Sequence, residues 1–344
     1  MYPEADQIKQ VLAAAQKVVV MQADNPDGDS LASALAFEQI LADLGKDVYL
    51  YCGMDMPNHL RYLPGWDRVN RDLPSQFDAT IIVDTSADSL FEILNVSGQK
   101  SWVTSKPCIV IDHHATEATI TFATVMCVKK AVATGEVIYE LAKQLDWPLN
   151  HEAMNMLAIS ILSDSLGLTS EATTARSIHI IGELVEGGIN LAELESERRE
   201  LMRKSPDILQ YKADLIKRIN YSTDGRVATV IIPWEEIEQY SHEYNPSVLV
   251  LDEMRFVTGV DIAIAFKVYK DGKITGKVRC NFGKAIGREL AEHFGGGGHP
   301  YASGFKIQDG RAISDVKAEC IELATQLLDK LEEGKPYESL QQSH

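Results

Sequence analysis

The first half of the chain alternates short apolar runs with longer segments of helical period. Val18-Val19-Val20-Met21 is a continuous, largely β-branched run, and residues 30–44 follow with apolar side chains at 31, 34, 35, 41 and 44. That is a change from strand period to helix period. Residues 48–51, 80–83 and 108–111 are further short runs rich in Val and Ile. Strands that are apolar throughout and separated by helices predict a parallel sheet covered on both faces, an α/β fold. Helical period then dominates over residues 131–145, 151–162 and 177–185, the last ending at Gly187-Gly188.

The pattern changes near Asn190. Residues 191–219 are charged, helical in propensity and interrupted by Pro206, and read as a solvated pair of linker helices. Strand candidates follow at 226–232, 261–269 and 276–280, with Asp271-Gly272 marking a hairpin turn. A helix at 284–293, a glycine run and a final helix at 313–331 complete a smaller α+β domain. The expected organisation is an α/β domain over 1–190, a helical linker over 191–220 and the second domain over 221–344.

A length of 344 residues also suits two domains, each large enough for its own core. Charge adds a restriction: 33 Lys and Arg face 50 Asp and Glu, a formal net charge of −17. Long duplex nucleic acid is bound mainly by neutralising phosphates, so this balance argues against it as a partner. Small phosphate-bearing ligands stay open. The five cysteines are widely spaced with no C-x-x-C pair, which disfavours a disulfide framework or a zinc ribbon. The opening MYPEADQIKQ has no basic-then-apolar pattern, and no apolar run approaches the ~20 residues that span a bilayer. The expectation is a reduced, soluble, cytoplasmic protein with no membrane partner.

Candidate chemistry sits where the strands end. Asp27 and Asp29 follow the first strand in the turn Asn25-Pro26-Asp27-Gly28-Asp29. Asp84 ends the run at 81–83, and Asp112-His113-His114 ends the run at 109–111. In a parallel sheet these strand ends share one edge, where open α/β sheets bind ligands. Asp164 follows the helix at 151–162. One Asp after a strand is ordinarily a turn former or helix cap; four such segments at equivalent ends point to a site. Clustered carboxylates raise one another's pKa and call for a cation. Oxygen and imidazole ligands without thiolates suit Mn²⁺ or Mg²⁺. Two such ions would activate a water and hold both sides of a phosphoryl displacement.

These residues resemble the DHH phosphoesterase superfamily. The four motifs of its catalytic domain are present as NPDGDS at 25–30, VDTS at 83–86, IDHH at 111–114 and LSDSLG at 162–167. The accessory DHHA1 signature is present from Phe294 to Gly304, as FGGGGHPYASG. Together they span nearly the whole chain, and the two-domain size looks most like the NrnA-type group of nanoRNases and 3′-phosphoadenosine 5′-phosphate phosphatases. The resemblance implies one metal held by Asp29, Asp84, His113 and Asp164, and a second held by Asp27 and the bridging Asp84. It implies that His114 contacts the scissile phosphate while Asp112 orients the histidines. One departure stands out: Ala23 occupies the position where the family has a His, four residues before Asp27. Asp24 as a substitute, water in place of the missing ligand, or tight binding of the second ion alone are the alternatives.

In the second domain, residues 255–306 carry nine Lys and Arg against four acids, a local charge of +5. Arg279 matches the family's substrate-binding Arg, followed here by Cys280. Gly296, Gly297, Gly298 and His299 are the other candidates for holding a nucleotide, in a loop whose backbone approaches the ligand. The implied activity is Mn²⁺-dependent hydrolysis of short oligonucleotides, dinucleotides or nucleotide phosphates in a cleft between the domains, with one or two ions and Mg²⁺ the alternative metal. A polyphosphatase or pyrophosphatase, and a nucleotide sensor with a degraded first metal site, are the rival readings. Oligomeric state, a homodimer included, stays open.

Overall fold

Five of the apolar runs form one parallel sheet: β1 (Lys17–Met21), β2 (Asp47–Tyr51), β3 (Ala79–Val83), β4 (Cys108–Asp112) and β5 (Val125–Val128), in the order β2-β1-β3-β4-β5. The computed structural model describes residues 2–114, 117–201 and 203–334. The strand order reverses beside β1, so the crevice between the carboxyl ends of β1 and β3 is the switch point of the sheet. The sequence pattern anticipates all but β5, an apolar run of only four residues.

Helices cover both faces of this sheet. They are α1 (Ala5–Ala14), α2 (Gly28–Asp43), α3 (Glu92–Val96), α4 (Lys100–Thr104), α5 (Thr134–Leu145), α6 (His151–Asp164), α7 (Ala175–Glu186) and α8 (Leu191–Leu201). Val18, Val20, Ile81, Val83, Ile109 and Ile111 pack with α1, α2, α5 and α6, whereas Val19, Met21, Ile82 and Val110 pack with Leu94 and Val103 of α3 and α4. Alternate residues of each strand thus enter opposite cores, as the pleat requires. α2 begins two residues before its apolar period does, capped by a reciprocal pair of bonds between Asp27 and Ser30. The consequence is functional. Asp29 lies in the first helical turn rather than in the turn before it.

The chain divides into two units, Met1–Arg203 and Lys204–His344. The second is built on a mixed sheet of β6 (Asn220–Ser222), β7 (Val227–Ile232), β8 (Ile262–Val268), β9 (Ile274–Cys280), β10 (Gly297–His299) and β11 (Ala302–Ile307), in the order β10-β11-β9-β8-β7-β6. Its helices are α9 (Pro206–Lys217), α10 (Trp234–Tyr240), α11 (Pro246–Arg255), α12 (Gly287–His293) and α13 (Ile313–Glu333). One core, with Ile264, Phe266, Val278 and Phe305, lies against α12 and α13; the other, with Val230, Ala263 and Ala265, lies against α9 to α11.

The helix pair read as a solvated linker separates between the two units. Leu191 and Leu194 of α8 pack on the first core. α9 buries Ile208, Tyr211 and Leu215 in the second unit. Its high charge hides three apolar residues at helical spacing, and Pro206 begins it at a position where a missing N–H costs nothing.

Candidate metal centre

Asp29, Asp84, His113 and Asp164 converge at the carboxyl edge of the parallel sheet. His113 Nε2 lies 3.6 Å from Asp29 Oδ2, 3.4 Å from Asp84 Oδ1 and 3.3 Å from Asp164 Oδ2. The other ring nitrogen, Nδ1, is 3.2 Å from the carbonyl of Ala131. A proton on Nδ1 satisfies that carbonyl and leaves the Nε2 lone pair facing three carboxylates. Nε2 is buried and makes no hydrogen bond. Such an arrangement is repulsive until a proton or a cation enters it.

The electrostatics agree. Burial, then the charge of Asp164, raises the carboxyl of Asp29 above its ordinary range. Burial and Asp29 raise Asp84 well above it. For His113, burial pulls the imidazole down, but Asp164, Asp84 and Asp29 outweigh it and raise it to about 11. One imidazolium proton offsets one of three carboxylates; a divalent cation offsets two. Oxygen and nitrogen donors so placed fit a hard or borderline divalent ion.

Hydroxyls and helix ends hold the carboxylates in place. Asp29 is fully buried and accepts from the Thr134 N–H (2.7 Å), the Ser33 hydroxyl (3.0 Å) and the Ser160 hydroxyl. The Thr134 hydroxyl donates to Asp84 Oδ1 at 3.0 Å. Thr134 is the first residue of α5, so a helix N-terminus with its unsatisfied N–H faces the acids. Asp84 itself has φ of 63°, left-handed backbone that a non-glycine residue adopts at a cost. Gly28 permits the close approach of α2 to α6, because a Cβ there would lie 2.2 Å from Ser163 Oγ.

The other expected ligands are placed differently. Asp27 is exposed and caps α2, its Oδ1 accepting from Ser30 N–H at 3.0 Å; its charge still reaches Asp84. The second group of converging donors among the described residues is Asp84, His113 and His114. Asp112 is fully buried, and its Oδ1 takes a bond from His114 Nδ1 at 2.7 Å. Burial opposes ionisation of Asp112, but the His114 bond, with help from Ser86, holds its carboxyl below the usual range. His114 thus has a carboxylate behind it and its other ring edge free of that bond. Ala23 is buried and contributes no side-chain donor. Asp24 turns away: its Oδ2 accepts from Ile93 N–H at 2.8 Å and its Oδ1 lies against Gly53.

Sequence reasoning missed the supporting hydroxyls. Ser33 stands four residues after Asp29 and Ser160 four before Asp164, a spacing that places each pair on one helix face. That spacing was a usable signal. Thr134 carried none, because α5 reaches the site only through the fold. Gln22 was also passed over: it is fully buried at the end of β1, and neither atom of its amide has a partner among the described residues.

In the second unit, the glycine run is loop only at Gly295 and Gly296. Gly297–His299 is the strand β10, paired with β11. A Cβ on Gly296 would lie 2.2 Å from the Gly304 carbonyl, and one on Gly298, at φ 133°, 2.7 Å from that of Ala302. Gly296 and Gly298 are required by the neighbouring strand. Arg279 pairs with Ala302, and Ala302 with His299, so Arg279 and His299 share one row across the sheet.

A buried acidic centre at the switch point of a parallel sheet, joined to a second α+β unit, defines a candidate metal-dependent hydrolase. The family models agree in both units: that of the DHH family N-terminal domain matches residues 17–161, and that of the DHHA1 domain matches residues 237–331. The chain belongs to the DHH/DHHA1 phosphoesterase superfamily, whose members depend on divalent metals. It is similar to the bifunctional oligoribonuclease and PAP phosphatase NrnA of Thermus thermophilus, with 25% identity over 290 residues, 83% of this chain and 82% of that one. It is also similar to the protein of the same description from Bacillus subtilis, with 23% identity over 305 residues, 86% and 92% of the two chains. Among solved structures, an exopolyphosphatase-related protein from Bacteroides fragilis shares the fold at a TM-score of 0.82 and 20% identity, covering 96% of this chain and 97% of that one. No helix among the described residues is long and apolar enough to cross a membrane.

Proposed function

We propose that this protein is a phosphoesterase that hydrolyses short oligonucleotides, linear or cyclic dinucleotides, or nucleotide phosphates such as 3′-phosphoadenosine 5′-phosphate. The observation that carries this reading is the unpartnered Nε2 of His113 facing Asp29, Asp84 and Asp164. The substrate class is taken from the NrnA-named relatives. Mn²⁺ is the proposed metal, as one or two ions, with Mg²⁺ the alternative. Asp29, Asp84, His113 and Asp164 would hold the first ion, with Asp84 shared by a second that Asp27 joins. A divalent ion bound there supplies Lewis acidity, lowering the pKa of a water and neutralising charge on the phosphate.

The chain's own groups supply the rest. Asp112 fixes the ring of His114, so that His114 can meet the scissile phosphate with its remaining nitrogen. Thr134, Ser33 and Ser160 donate to Asp29 and Asp84 and orient them. Arg279 and His299, with the backbone of Gly296, Gly297 and Gly298, hold the nucleotide. Five unpaired, buried cysteines suit a reducing compartment, which we take to be the cytoplasm.

The test is a panel of pApA, 3′-phosphoadenosine 5′-phosphate, cyclic di-AMP and pyrophosphate, each with Mn²⁺ or Mg²⁺. Hydrolysis of one or more of the nucleotides faster than pyrophosphate is expected. Faster pyrophosphate hydrolysis would favour the pyrophosphatase reading. Nucleotide binding without turnover would favour a sensor, which the missing donor at Ala23 permits.

A further inference from the structure

The second unit carries three neighbouring cations, of which Arg279 has the charge of Asp252 nearby and Lys267 and Lys277 have no acid acting on them. On β8 and β9, Ile262, Ile264, Phe266, Ile274, Val278 and Cys280 enter the core against α12 and α13. Lys267, Thr275, Lys277 and Arg279 therefore lie on the opposite face. Helices α9 to α11 cover the Ala263 and Ala265 portion of that face.

Register sets the rows. Arg279 pairs with Ala302, which pairs with His299; Lys277 pairs with Gly304, which pairs with Gly297. Lys267 stands opposite Thr275, one row further on. Rows two residues apart are separated by about 6.8 Å. In the Lys277 row neither Gly304 nor Gly297 raises a side chain, and nothing lies within 4 Å of where a Cβ on Gly297 would be. Glycines so placed in strands mark close approach by a ligand or another backbone.

All three cations are half-buried. Among the described residues Lys267 and Lys277 make no hydrogen bond or ion pair, and Arg279 bonds only to the carbonyl of Val278, at 2.9 Å. Burial, then the charge of Lys277, lowers Lys267 to about 8; burial, then Arg279, lowers Lys277 as well. Cations held this way, half out of water and beside one another, are stabilised by an anion.

We infer that Lys277, backed by Lys267, forms a second phosphate position one row from Arg279, so that the preferred substrates carry a phosphate besides the scissile one. This rests on the phosphoesterase reading and narrows it: 5′-phosphorylated dinucleotides are selected over unphosphorylated ones. Lys277 takes that further phosphate above the glycine backbone, one row from Arg279.

The experiment compares kcat/KM for pApA and ApA in the full-length, metal-loaded protein and in Lys277→Gln, Lys277→Arg, Lys267→Gln and Lys270→Gln. The wild type is expected to prefer pApA. Lys277→Gln should reduce that preference about tenfold, the scale of one charge-assisted bond, and Lys277→Arg should restore much of it. Lys267→Gln should reduce it less. Lys270→Gln, which removes the same charge at the exposed hairpin turn, should leave the ratio unchanged. A wild-type preference retained in Lys277→Gln, or an equal loss on both substrates, overturns the inference. Should Lys277→Gln fail to fold by circular dichroism, a ratio unchanged in Lys267→Gln overturns it instead. A wild type that hydrolyses neither of these nor the other nucleotides of the panel defeats the phosphoesterase reading itself; one that hydrolyses pApA and ApA equally, or only other nucleotides of the panel, defeats only the second phosphate position.

Discussion

The two units solve opposite electrostatic problems in different ways. In the first, Asp29 and Asp84 are buried and held by Ser33, Thr134 and Ser160. In the second, Lys267 and Lys277 are half-buried and bonded to nothing among the described residues. An ion of fixed radius calls for ligands fixed to within a fraction of an ångström, so its carboxylates are braced by other groups. A phosphate on a flexible strand tolerates movement, and long side chains with free donors can follow it. The difference teaches where substitutions should be sharp and where they should be graded.

The largest effect is expected at the braced centre. Asp84→Ala removes the carboxylate that faces both His113 and His114 and should reduce hydrolysis by more than about 10³-fold, beyond the ~10–100-fold typical of outer partners. A steady-state assay checks it, and turnover close to wild type would break the assignment. Next come those outer partners. Ser160→Ala and Thr134→Val should each weaken metal affinity about 10–100-fold, measured by Mn²⁺ titration calorimetry. The contrast with the second unit sharpens with Arg279→Gln, which should raise KM for pApA about tenfold or more while kcat changes less.

The smallest effect is on stability against pH. In metal-free protein the His113 imidazole stays protonated up to about 11, against 6.5 in the unfolded chain. The raised pKa values of Asp29 and Asp84 act in the same sense, since the folded state again holds the extra protons. Stability from His113 is therefore fully present below 6.5 and declines as pH rises toward 11. The melting temperature of chelator-treated protein should fall by a few degrees between about pH 6 and about pH 9, and Mn²⁺ should restore it. His113→Ala should flatten the profile.

Much of this was readable in the sequence because the relevant signals are local. Continuous β-branched runs mark β1, β3 and β4; β3 and β4 lead directly into Asp84 and Asp112, and Asp27 and Asp29 follow β1 after a turn. β5 and β10 escape for different reasons: the first is only four residues long, and the second is made largely of glycine. Asp29 was assigned to a turn because the apolar period starts late, whereas the cap from Asp27 starts the helix early. The supporting role of Thr134 depends on α5 reaching the edge of the sheet, which no local pattern encodes. Likewise the shared face of Lys267, Lys277 and Arg279 follows from strand register. Charge counting located the basic segment but not its rows.

The proposed role of the acids around His113 is to hold a divalent ion at which phosphoesters are cleaved. The most direct measurement is AMP release from pApA by metal-stripped protein as Mn²⁺ is added back. No release is expected without the ion, saturable release with it, and loss again on chelation. Release that persists in chelator, or none with any divalent ion, would contradict that role.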